Sequence, residues 1–98
     1  MHELRFSWDP QKARSNERKH GVSFEEAQTV FVDEHGLLLN DPNPEDAEER
    51  FVLLGMSSGL RVLLVCHCLR EGGNEVRLIN ARRANRAEGK QYWDRLRR

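Results

Sequence analysis

Residues 50–81 read RFVLLGMSSGLRVLLVCHCLREGGNEVRLINA, and this stretch decides the fold. Three strand-like runs, Arg50 to Met56, Arg61 to Leu69 and Glu75 to Ala81, are parted by Ser57-Ser58-Gly59 and Gly72-Gly73-Asn74. Turns this short join strands that run antiparallel, so the stretch predicts a meander. In the last run Val76 and Leu78 fall on one side and Arg77 and Ile79 on the other, the period of a half-buried strand.

On the N-terminal side, Glu3 to Trp8 alternates as a short strand, or a segment leading out of one, with Leu4, Phe6 and Trp8 on one face. Asp9-Pro10 then starts a helix, because the carboxylate caps free N–H groups and proline fits the first turn. Residues 10–19 lack a wide apolar stripe, so this helix should be largely exposed, and Lys19-His20-Gly21 ends it. Ser23-Phe24-Glu25-Glu26 has the pattern of a capping box opening a second helix to about Val32, with Phe24, Ala27, Val30 and Phe31 buried. Gly36 to Asn40 is a short apolar strand, and Asp41-Pro42-Asn43-Pro44-Glu45 can only be a loop. Beyond the meander, Asn85-Arg86-Ala87-Glu88 is another capping box, opening a last helix that relies on docking Tyr92, Trp93 and Leu96. Gly89 inside it costs about 1 kcal/mol relative to alanine. Together these elements predict one α+β domain over residues 1–98. It has an antiparallel sheet of about four strands, two N-terminal helices and one C-terminal helix.

The chain of 98 residues carries 16 basic and 16 acidic residues. That balance conceals a split: residues 1–59 hold 6 basic and 12 acidic residues, and residues 60–98 hold 10 and 4. Residues 23–49 contain nine acidic residues and no Lys or Arg. Of the basic residues 13 are Arg, the side chain suited to bidentate phosphate or carboxylate recognition. A neutral total therefore does not exclude a nucleic-acid partner. No apolar run is long enough for a membrane span, and MHELRFSWDP lacks the basic-then-apolar pattern of a signal peptide. A cytoplasmic setting is the expectation. The two cysteines, Cys66 and Cys68, point to the same side of a strand and make a poor bridging pair.

The segment F-S-W-D-P-Q-K-A-R-S-N-E-R-K-H-G-V-S-F-E-E-A, residues 6–27, resembles the opening signature of the BrnT-type toxins, small ribonucleases of type II toxin–antitoxin modules. The likeness continues through Asp41-Pro42, Glu49-Arg50-Phe51 with Gly55, Leu63-Leu64-Val65 and Ile79-Asn80-Ala81-Arg82-Arg83-Ala84. Glu88 and Tyr92 sit where the family's last helix carries similar residues. The resemblance implies a RelE-like fold and RNA cleavage without a metal or other cofactor. It also implies a BrnA-like antitoxin with a ribbon-helix-helix domain, through which alone operator DNA would be bound. Asn80, where the family more often has serine, and Cys66-His67-Cys68 depart from its pattern.

Metal-free RNA cleavage needs a base for the 2′-hydroxyl, an acid for the 5′-oxygen, and cations at the pentavalent phosphate. RNA supplies its own nucleophile. Arg82 and Arg83, between the last strand and the last helix, are the best-placed cations; the alternative is that they pair with carboxylates or lie in solvent. His20 is the natural candidate for proton transfer. Lys19 beside it could bind phosphate, although both residues could simply complement a helix end. Glu88 and Tyr92 share a helix face and could move a proton or orient an arginine, with core packing the alternative for Tyr92. Arg50 and Arg61 head neighbouring strands and are further phosphate candidates. Trp8 either stacks on a base or packs against the first helix. His67 reads as a hydrogen-bonded sheet residue, and the cysteines beside it do not make a zinc site. The acidic segment would repel RNA and could hold a basic stretch of a partner. A non-catalytic antitoxin-binding subunit and a stand-alone DNA binder are the competing functions.

Overall fold

The computed structural model describes residues 4–40 and 50–97. Strand β1 (Arg5–Ser7) is followed by helices α1 (Pro10–His20) and α2 (Phe24–Gln28), the latter running into a 3-10 turn at Thr29–Val32. Strands β2 (Leu37–Asn40), β3 (Phe51–Met56), β4 (Val62–Arg70) and β5 (Glu75–Arg83) follow, then helix α3 (Arg86–Leu96). The expected loop at Asp41–Glu45 lies outside the described residues.

The α+β class and the meander are present. The count of about four antiparallel strands needs correction, because among the described residues the sheet has five strands in the order β1-β5-β4-β3-β2. It is mixed: β1 runs parallel to β5, Phe6 opposite Val76, while β2 through β5 are antiparallel neighbours. Parallel pairing between residues this far apart in the chain leaves no turn signal to read.

The start of each helix follows from its cap. Asp9 accepts from the Gln11 N–H at 2.8 Å, and Gly21 closes α1 at φ 69°, a conformation that glycine adopts without steric cost. The Ser23 hydroxyl accepts from the Glu26 N–H at 3.0 Å, which is half of the expected capping box. The reciprocal half is not made, because the Glu26 carboxylate turns to Arg61 and Ser57. At α3 both halves are present: Asn85 Oδ1 accepts from the Glu88 N–H and Glu88 Oε1 from the Asn85 N–H, each at 2.8 Å.

One face of the sheet packs on the α2 side. Val22, Phe24, Ala27 and Val30 meet Leu63, Val65, Val76, Leu78 and Ala81, all with 2% exposure or less. Each of the Val, Leu and Phe side chains contributes about 1.5–3 kcal/mol on burial. Gly55 lets the 3-10 turn approach β3, since a Cβ there would stand 2.8 Å from Val30 Cγ1. Phe31 stands edge-on to Phe6 and to His67, at 5.2 and 4.9 Å.

Strand β5 changes phase midway. Leu78 pairs with His67 and Asn80 with Cys66, so Ile79 is an extra residue, a β-bulge. Without it Arg77 and Arg82 would face opposite sides. With it, Arg77, Asn80 and Arg82 stand opposite Cys68, Cys66 and Leu64, on the face turned away from α2.

Candidate active-site groove

Strand β1 covers only the first residues of β5, which leaves the later residues of β5 without a strand neighbour on that side. Helix α1 fills the place. Asn16, its one buried residue, accepts from the Ala81 N–H at 3.0 Å and donates to Ala81 C=O at 2.9 Å and Val22 C=O at 3.0 Å. One side-chain amide thus stands in for the missing strand and satisfies buried backbone groups.

Anchored there, α1 lines up residues one turn apart along β5. Lys12, Ser15, Asn16, Lys19 and His20 from the helix and Ile79, Asn80 and Arg82 from the strand line a groove of about 390 Å³. Lys19 and His20 are brought together with Arg82, more than sixty positions away in the chain. None of the lining side chains is a carboxylate, so the groove is cationic.

Arg82 and Arg83 belong to β5 itself rather than to the junction after it. Arg82 donates from both terminal nitrogens to the two Glu88 oxygens, at 2.9 Å each, with its side chain still 37% exposed. The Arg82 guanidinium, with the Asn85 N–H, holds the Glu88 carboxyl below its ordinary range, and Glu88 in turn raises Arg82. Both Glu88 oxygens are thereby hydrogen-bonded, to Arg82 and to the Asn85 N–H.

Other candidates lie elsewhere. Tyr92 is buried and donates to Asp33 Oδ2 at 2.6 Å, beside a separate hollow formed by Thr29, Val32, Met56 and Ser57. Burial and the Asp33 charge push its hydroxyl up to about 12. Arg61 is bound to Glu26 and to Gly21 C=O, tying the β3–β4 turn to α2. Arg83 points to the opposite side of β5 from Arg82, opposite Leu63. Trp8 packs edge-on against Phe24 at 5.8 Å, in the core and not in the groove. His67 is buried under Phe31 with Nδ1 3.2 Å from Val65 C=O, and desolvation lowers its pKa. Arg50 lines a recess that adjoins the groove through Lys12 and Ile79. Lys12, Asn16 and Asn80 are not among the site candidates that the sequence offers, although the spacing of Lys12, Asn16 and Lys19 places them on one helical face.

A family model described as "Ribonuclease toxin, BrnT, of type II toxin-antitoxin system" matches residues 8–88. The chain belongs to the BrnT family. The groove, both of its walls and the Arg82–Glu88 pair fall within the matched span of this BrnT domain. Among solved structures, the crystal structure of the Brucella abortus ribonuclease toxin BrnT shares the fold. That likeness has a TM-score of 0.58 at 22% identity and covers 88% of this chain and 100% of the other. No curated protein matches the sequence. No helix among the described residues is long and apolar enough to cross a membrane.

Proposed function

We propose that this BrnT-family chain is the toxin of a type II module: a RelE-like, metal-independent endoribonuclease that acts on RNA in the cytoplasm and arrests growth. The observation that carries this reading is the cationic groove in which His20 and Lys19 of α1 face Arg82 and Asn80 of β5. The 2′-hydroxyl attacks the adjacent phosphorus, its proton passes to a base, and the 5′-oxygen leaves with a proton from an acid. Arg82, Lys19 and Lys12 stabilise the negative charge on the pentavalent phosphate. His20 is the group in the groove suited to proton transfer, since Glu88 is committed to Arg82 and Tyr92 to Asp33. A BrnA-like ribbon-helix-helix antitoxin neutralises the toxin, and operator DNA is reached only through that complex.

The test is inducible expression, alone and with a neighbouring ribbon-helix-helix gene, while growth and total RNA are followed. Growth arrest with RNA cleavage, suppressed by the neighbour and lost in Arg82→Ala, is the expected result. Full toxicity in a folded Arg82→Ala variant would overturn the assignment. The Arg82–Glu88 pair supports one second reading, a non-catalytic antitoxin-binding subunit, because it leaves the principal arginine already matched with a carboxylate. That subunit would bind its antitoxin and arrest nothing.

A further inference from the structure

A second recess adjoins the groove. The bulge at Ile79 sets Arg77 on the same face as Asn80 and Arg82, and beside Arg77 lies a recess lined by Lys12, Arg50, Arg70, Cys68 and Asp9. Lys12 and Ile79 border both hollows, so the two adjoin. The recess gathers four cations against one carboxylate. That carboxylate, Asp9, has one oxygen committed to the Gln11 N–H at 2.8 Å. Neither Lys12 nor Arg77 enters an ion pair among the described residues. Their charge is therefore not spent on holding the fold. Arg77 and Arg82 stand opposite Cys68 and Leu64 of β4, four residues that rise roughly 13 Å at about 3.3 Å per residue, which is longer than one phosphodiester spans.

We infer that the recess around Lys12 and Arg77 is a second phosphate subsite, which holds a phosphate flanking the scissile one on a single-stranded RNA. The inference rests on the nuclease reading and adds to it a preference for longer RNA. Cations that track a backbone contribute affinity without reading sequence, and each contact adds to the salt dependence. Lys12 sits between the two subsites, while Arg77 serves the outer one alone.

The test uses all-deoxy, uncleavable oligonucleotides bound to the full chain and followed by fluorescence anisotropy. The wild type should bind a tetranucleotide more tightly than a dinucleotide. Arg77→Ala should weaken the tetranucleotide about tenfold and lower its salt slope by about 0.7. It should leave the dinucleotide as it was. Arg77→Lys should restore most of the loss, which separates charge from folding, and thermal melts of each variant check the fold. Equal tetranucleotide affinity in wild type and Arg77→Ala would overturn the subsite, as would equal weakening of both ligands or no wild-type preference for length. Cleavage of the matching ribo-oligonucleotides is scored separately. Length-dependent binding without cleavage keeps the subsite and removes the nuclease; cleavage indifferent to Arg77 does the reverse.

Discussion

Arg82 and Glu88 meet as a two-pronged pair, and the same Glu88 carboxylate closes the capping box of α3 through the Asn85 N–H. The arginine that faces the groove is thereby positioned by the first turn of the last helix. Glu88→Gln keeps a side chain that can cap, because glutamine serves at that position, but it removes the charged fork. The expected outcome is a modestly lowered melting temperature, with kcat for RNA cleavage lowered about tenfold. Arg82→Ala should lose about a hundredfold or more. Single-turnover kinetics and far-ultraviolet circular dichroism on both variants check this.

The same pair and its counterpart, Glu26 with Arg61, set the acid limit of the fold. The Arg82 hydrogen bonds hold Glu88 low and the Arg61 hydrogen bonds hold Glu26 low, each against the opposing effect of burial. Both carboxyls thus bind protons more weakly folded than unfolded. Their stabilisation is complete above the unfolded value of about 4.3 and drains away as pH falls through the lower folded values. Urea melts between neutral pH and pH 3 should show this loss, and a Glu26→Gln/Glu88→Gln variant should show a flatter acid limb.

Asn16 carries the attachment of α1 to β5. Asn16→Ala leaves the Ala81 N–H and C=O and the Val22 C=O without their partner in a buried setting. A destabilisation of about 2–4 kcal/mol is expected, read from denaturant midpoints. RNA cleavage should fall as well, since Lys19 and His20 ride on the same helix.

Tyr92 is the sole tyrosine, so its phenolate absorbance reports one group. Desolvation and Asp33 raise it to about 12, and a titration should show no phenolate at the ordinary midpoint near 10. The raised value means that the hydroxyl stabilises the fold below about pH 10 and ceases to do so as pH climbs through the folded value. Tyr92→Phe should cost about 2 kcal/mol and leave cleavage within a few-fold of wild type. Loss of cleavage in a stable Tyr92→Phe protein would place the hydroxyl in the chemistry after all.

Leu60 sits at φ 61° with 83% of its surface exposed, at the end of the β3–β4 turn. A branched side chain is strained in that region, and glycine is not. Leu60→Gly should therefore raise stability by up to about 1 kcal/mol, measured by thermal melts.

Much of this was legible along the chain because its causes are local. Asp9-Pro10, Ser23 and Asn85 cap helices through groups two or three residues away, and Ser57-Ser58-Gly59 turns a hairpin by its own backbone preferences. Lys19, His20 and Arg82 stood out by charge and chemistry. The failures have one origin in non-local pairing. Glu26 has the right spacing for a reciprocal cap, but Arg61, thirty-five positions away, is the stronger partner for its carboxylate. Arg61 is engaged by that same pairing, and the Tyr92 hydroxyl donates to Asp33. The shared helical face of Lys12, Asn16 and Lys19 is legible from their spacing, but its role as a wall of the groove depends on how α1 packs against β5.

By itself the sequence determined the element types, the meander, the helix caps and the concentration of arginine in the last third of the chain, since each depends on neighbours or on composition. Tertiary structure decided the rest. It placed β1 parallel to β5, let Asn16 complete the strand edge, and inserted Ile79 as a bulge. Strict alternation would have put Arg77 and Arg82 on opposite faces. The extra residue, set by how β5 registers against β4, puts both on one face, and no periodicity in β5 alone contains that information.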